Sequence, residues 1–306
     1  MVISQVNSLT IKTRIGRQIR MCSTLKFFMT VALAIFFATA CSTITYTVSE
    51  DIAHSLSSGI ANQSDIELVK TGIPSFVLLL DGMIAENPDS PELYLAGAKL
   101  YSTYAGFVYD DPQRAQVLSR TAFNYSKKTL CLANVDWCDA DKRPIDKYRT
   151  FLTGISVEDL EMTYVFGVTW ANYIDSHSSD WNAVADLPKV KATMQRVLEF
   201  DETFEKGGAH LYLGVLETVV PPALGGKPGI AKAHFERVLE ITKGRNLMAK
   251  VLYAERYARP LFDRELHDRL LYEVVEQDPQ EPGLTLINII AQKKAKQLLE
   301  SADEFF

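Results

Sequence analysis

From Cys41 onward, apolar residues recur every three or four positions, and no stretch alternates apolar with polar for long. That period belongs to helices that bury one face. Prolines and short polar residues punctuate the pattern and mark where helices should begin and end. The spacing predicts helices over Pro74–Asn87, Pro91–Tyr109, Pro112 to about Cys131 with Asp111 as its cap, and Val157–Ser176. Further helices are predicted over Pro188–Phe200, Gly208–Val219, Pro228–Thr242, Arg245–Ala258, Glu265–Gln277 and Leu284–Ala302. The expected fold class is all-α.

The pattern is different at the start. Phe27–Ala40 is a continuous apolar run of 14 residues with Lys26 just before it. It is short of the ~20 residues a membrane-spanning helix needs, and fits the apolar centre of a secretory signal. Ala38-Thr39-Ala40-Cys41 is similar to the lipobox of bacterial lipoproteins, in which the cysteine is acylated and becomes the new N-terminus. Two or three acyl chains at about 0.8 kcal/mol per buried CH₂ would give stable anchoring. The alternative is plain export with cleavage after Ala40 and a free thiol at Cys41. Met21 offers a second possible start. Ser42 follows the cysteine, where inner-membrane lipoproteins carry Asp, so the resemblance implies the outer membrane, facing the periplasm. The expected organisation is a signal peptide over 1–40, a tether and N-terminal helix over 41–63, and one helical repeat domain over 64–306.

Composition agrees with a folded body: of 306 residues, 47% are apolar and 23% charged. The net charge of −6 hides an asymmetry, since residues 1–40 hold five basic and no acidic residues. The remainder has 27 Lys+Arg against 38 Asp+Glu, a net of −11, which should repel nucleic acid and anionic headgroups. In an oxidising compartment Cys131 and Cys138 form either a bridge across a short loop or two buried reduced thiols.

Catalytic signatures are missing. The five histidines are scattered, with no HExxH and no i,i+4 pair. Gly225-Gly226-Lys227 fails as a phosphate loop, because Pro221 stands where the first glycine is needed and Pro228 where Ser or Thr would bind magnesium. It reads as a turn entering a helix. There is no GxSxG and no GxGxxG after a strand, so neither enzyme nor cofactor is expected.

Internal similarity is more informative. Val190–Phe200 (VKATMQRVLEF) and Ala231–Ile241 (AKAHFERVLEI) share Lys, Ala and an Arg-Val-Leu-Glu run. Upstream lie Phe166-Gly167 and Leu213-Gly214. With Ala231 and Phe235 these resemble degenerate tetratricopeptide helix pairs in a superhelical array, whose small residues admit close approach. Aromatic stripes at helical spacing (Tyr94, Tyr101 and Tyr104; Phe166, Trp170 and Tyr173) are either core packing or the wall of a binding groove. Tyr94, Tyr101, Tyr104, Trp170 and the Gly225, Gly226, Lys227, Pro228 loop are the candidate ligand- or partner-binding residues.

One family is resembled more specifically. Gly72-Ile73-Pro74 through Asn87-Pro88 is similar to the G-x-P-x-x-L-L-L-x-x-G-L-x-x-x-x-P opening of the T component (TatT) that accompanies some tripartite ATP-independent periplasmic (TRAP) transporters. Tyr101–Ala105, Asp111-Pro112-Gln113-Arg114-Ala115, the Leu224–Pro228 loop and the closing helix from Asn288 also fit. The resemblance covers about residues 64–306. It implies a non-enzymatic envelope lipoprotein, a homotrimer with ligand-accessible pores, that partners the transporter's periplasmic solute-binding protein in uptake of an organic acid or a more hydrophobic solute. The competing reading is a tetratricopeptide scaffold lipoprotein in envelope assembly.

Overall fold

The computed structural model describes residues 55–108, 111–220 and 226–306. The chain divides into units 1–56 and 57–306, and the second holds nearly all of the described residues. Cys41 and Gly225 lie outside them.

Among the described residues there is no strand. α1 (Ile66–Glu86), α2 (Pro91–Phe107) and α3 (Pro112–Ala133) come first. α4 (Ile145–Thr153), α5 (Leu160–Ser176) and α6 (Leu187–Phe200) follow. Next are α7 (Phe204–Thr218), α8 (Pro228–Ile241) and α9 (Leu247–Leu252), which runs on as a wider π-turn over Tyr253–Ala258. α10 (Arg264–Glu276) and α11 (Thr285–Glu300) follow, and a single helical turn over Ala302–Phe305 ends the order. Side-chain caps set several starts: Asp65 accepts from Leu68 N–H at 3.0 Å, Asp111 from Arg114 at 3.0 Å and Asp263 from Leu266 at 3.0 Å. Each cap contributes about 1 kcal/mol by satisfying an orphan amide.

One predicted boundary is corrected and one helix is added. The first helix begins at Ile66, eight positions before Pro74, which therefore lies inside it. Val69, Ile73 and Val77 are buried at four-residue spacing, and this apolar face carries the helix through the proline. The second correction is α4, where no helix was predicted. Pro144 opens it, and it buries Tyr148 and Leu152, with the Tyr148 hydroxyl 2.7 Å from Thr193 Oγ1.

Neighbouring helices pack in sequence: α1 on α2, α2 on α3, α3 on α5, α5 on α6, α6 on α7, α7 on α8. The internal similarity is realised atom by atom. A Cβ at Gly167 of α5 would lie 2.8 Å from Met194 of α6, and one at Gly214 of α7 would lie 3.0 Å from the Phe235 ring of α8. Met194 and Phe235 occupy equivalent positions of the two similar runs, and both are fully buried. Arg196–Glu199 (2.6 Å) and Arg237–Glu240 (2.7 Å) repeat on the outer side.

Within residues 57–306, α11 packs into the cluster built by α1 and α2. Leu286 and Ile290 of α11 share one apolar cluster with Val69, Ile73 and Val77 of α1 and Leu100, Tyr104 and Phe107 of α2. Gly283 N–H donates to Asn62 Oδ1 at 2.7 Å. Buried Asn288 ties the preceding loops together, accepting from Leu247 N–H at 2.9 Å and donating to Arg245 and Pro279 carbonyls at 3.0 and 3.1 Å.

Candidate functional site

α2, α5 and α7 present a row of partly exposed polar and aromatic side chains towards one another. Lys99 of α2 pairs with Glu161 of α5. One turn along, Asn172 of α5 donates to Ser102 Oγ of α2 at 2.8 Å and also meets the Tyr212 hydroxyl of α7. Tyr164 of α5 lies edge-on to Phe204, centroids 5.4 Å apart, with Gly208 leaving room for its hydroxyl. Tyr164 and Tyr212 both keep part of their surface in solvent. Nevertheless, burial pushes the Tyr212 hydroxyl up to about 12 and raises that of Tyr164 well above its usual value. Surrounded by protein yet touched by solvent, these rings stand on a recessed wall. Both hydroxyls stay protonated at neutral pH and can donate hydrogen bonds.

The residues singled out by sequence fall in five places. Tyr94 and Tyr101 are brought together by Tyr125 of α3, whose ring stands perpendicular to both at 5.3 and 5.5 Å. Gly97 permits this, since a Cβ there would lie 2.6 Å from the Tyr125 ring. Asp81 of α1 accepts from Tyr101 at 2.6 Å and Tyr125 at 2.9 Å. Tyr104 is apart from them, buried, its hydroxyl accepting from Arg114 at 3.0 Å. Trp170 is 1% exposed and stacks on Phe123 at 5.3 Å, so of its two readings the structure gives core packing, not a groove wall. Gly226 and Lys227 lead into α8, with Pro228 in its first turn. Cys131 at the end of α3 and Cys138 are joined in a disulfide, Cα atoms 4.6 Å apart.

Sequence reasoning missed Tyr164, Asn172 and Tyr212. Tyr164, Val168 and Asn172 recur every four residues on α5, a signal hidden beside the stronger Phe166–Trp170–Tyr173 stripe. A histidine pair was missed too. His210 of α7 and His234 of α8 face each other, Nδ1 to Nδ1 at 2.9 Å. Glu202 lies 3.3 Å from His210 Nε2 and is held by Arg237. With Nε2–H donating to Glu202, His210 Nδ1 must accept from His234 Nδ1–H. Next to this relay Glu205, Lys206 and Gly207 are all left-handed, which costs about 1–2 kcal/mol at each non-glycine position.

A second strained point lies beyond the π-turn. Phe262 has φ 55° and is 69% exposed. Its ring stacks on Phe305 at 5.8 Å and meets Phe306 edge-on at 6.5 Å. Arg259 lies over Phe305 at 4.3 Å. Arg264 holds Asp268 at 3.3 Å and pairs with Asp303. Exposed aromatics braced by arginine are the residue types that carry most energy at protein interfaces.

Among the described residues no group of three or more His, Cys, Asp or Glu is arranged to hold a metal ion. No curated protein matches the chain. A family model described as "TRAP transporter T-component" matches residues 62–306.

Proposed function

The chain belongs to the TRAP transporter T-component family, a transporter accessory family and not an enzyme family, and from that premise we propose that it is a periplasm-facing lipoprotein that docks the solute-binding protein of its uptake system. In this reading Cys41 carries the lipid, the body stands at the outer membrane, and three copies associate. The recessed wall of Tyr164, Asn172 and Tyr212 takes an organic-acid or more hydrophobic solute. Its mixture of ring faces and fixed hydroxyls suits an apolar body with a polar end.

The observation that carries the reading is the family match, which spans almost all of residues 57–306. The ligand part is supported by the row in which α2, α5 and α7 set Ser102, Asn172 and Tyr212 side by side. The docking part is supported by the arginine-braced Phe262 corner.

The test is affinity purification of the full lipoprotein from mildly cross-linked native envelopes, with mass spectrometry of what accompanies it. Recovery of one solute-binding protein in near-equal amount is the expected outcome. Recovery of assembly machinery or many nascent envelope proteins would overturn it in favour of an envelope-assembly scaffold.

A further inference from the structure

α1 is apolar on two opposite faces, and among the described residues only one of them has a partner. Val69, Ile73, Val77 and Ile84 point into the body and are buried. At about 100° per residue, Leu68, Leu78 and Leu79 fall on the opposite arc, with Phe76 on the flank beside Val69; in that order the four are 55%, 74%, 61% and 42% exposed. The same arc carries Thr71, Gly72, Ser75 and Gly82, with nothing near the place of a Cβ at either glycine, and exposed Glu67 and Glu86 stand at its two ends. Thr71–Leu80 carries no charge. By length and composition α1 could cross a membrane, yet only 22% of its apolar window is buried.

From this pattern we infer that the outward face of α1 rests in the surface of the bilayer to which the chain is tethered. The inference rests on the lipoprotein reading. Three observations choose lipid over protein as the occupant. The exposed face has one ring, Phe76, and no Trp, Tyr or Arg, the residues that dominate protein interfaces, whereas at the Phe262 corner arginines lie over the rings. Leucine, phenylalanine and glycine without charge suit the boundary between headgroups and acyl chains. Finally, α1 begins only 25 positions downstream of Cys41. An anchor that near supplies an effective concentration on the millimolar scale, so a weak apolar contact suffices. Because the body is acidic, the surface it takes is zwitterionic, not anionic.

The test places an environment-sensitive fluorophore on Leu79→Cys of the acylated protein in phosphatidylcholine vesicles carrying a nitroxide quencher near the headgroup. Val117→Cys on α3, 64% exposed, is the control. About twofold or greater loss of emission at position 79, with little at 117, is expected for a helix seated at headgroup depth. Leu78→Glu in the same chain should abolish that loss while leaving circular dichroism unchanged. Equal quenching at both positions, or none at 79, overturns the inference. So does a blue shift at 79 that grows with protein concentration without vesicles, which would assign the face to a second copy. Mass spectrometry of the Cys41 peptide reads acylation separately. If Cys41 carries no lipid, the lipoprotein reading falls, and the same probe is read with the chain held to nickel-chelating lipid by an N-terminal histidine tag. Quenching there keeps the α1 contact, and its absence ends it.

Discussion

Burial holds the imidazoles of His210 and His234 below their usual 6.5. In the unfolded chain both protonate as pH falls through 6.5, while in the folded chain they stay neutral to lower pH. The unfolded state therefore binds more protons in that window, and stability is complete above 6.5 and declines below it. The groups facing the pair are Glu202 and Arg237, with Glu217 and Lys191 beyond His234. Glu202 is held below its usual 4.5 by Arg237, so its own loss of stabilisation falls in a separate, more acidic window. The melting temperature should drop between about pH 7 and pH 5.5, and His210→Asn with His234→Asn should flatten that slope. An unchanged slope in the double variant would remove the pair from the account. At this scale the sequence is legible only where partners are close along the chain. The seven-residue spacing of Tyr94 and Tyr101 places them on one side of α2, but nothing local announces Asp81 or Tyr125. The histidines are 24 positions apart on different helices and show no motif at all.

Helices, by contrast, are written into local pattern, since caps and prolines act within one turn. Pro74 misleads because its cost is local while the burial of Val69, Ile73 and Val77 that outweighs it is tertiary. α4 has only two fully enclosed apolar residues in nine, too few to establish a period. The contact of α7 with α8 was readable, because Gly214 and Phe235 have a counterpart in Gly167 and Met194. Phe235→Ala should lower unfolding free energy by about 3–5 kcal/mol in a denaturant titration, by opening a cavity at a ring that is 0% exposed. Gly214→Ala should cost about 1–3 kcal/mol, since the added methyl meets that ring at 3.0 Å. If both variants matched the parent, the pair would not be the packing centre of its hairpin. The Cys131–Cys138 bridge closes the exit from α3, with a sequence separation of 7. Replacing both by serine should lower stability by about 2.5 kcal/mol on the chain-entropy account. The same loss should appear in the parent protein on adding reductant.

For the whole molecule, the decisive contact is the one that sequence periodicity could not announce. Leu286 and Ile290 reach α1 across more than two hundred positions, and a repeat pattern specifies only neighbours. The corner at Phe262 is also built from distant positions, since Phe305 and Phe306 lie 43 and 44 residues downstream. Phe262 separates the demands of folding from those of docking. Its left-handed backbone favours glycine, and its ring is largely in solvent, so Phe262→Gly should leave thermal stability unchanged or raise it by up to about 1 kcal/mol. The same change removes the aromatic centre of the corner and should reduce recovery of the partner in the cross-linked purification at least tenfold, the equivalent of about 1.4 kcal/mol. A variant that melts early would make Phe262 a packing residue, held by Phe305 and Phe306 for the sake of the fold. One that keeps both stability and partner would move the docking surface elsewhere. A strained, exposed aromatic is retained against its own backbone preference only where its ring meets something, and the partner assay reads whether that something is another protein.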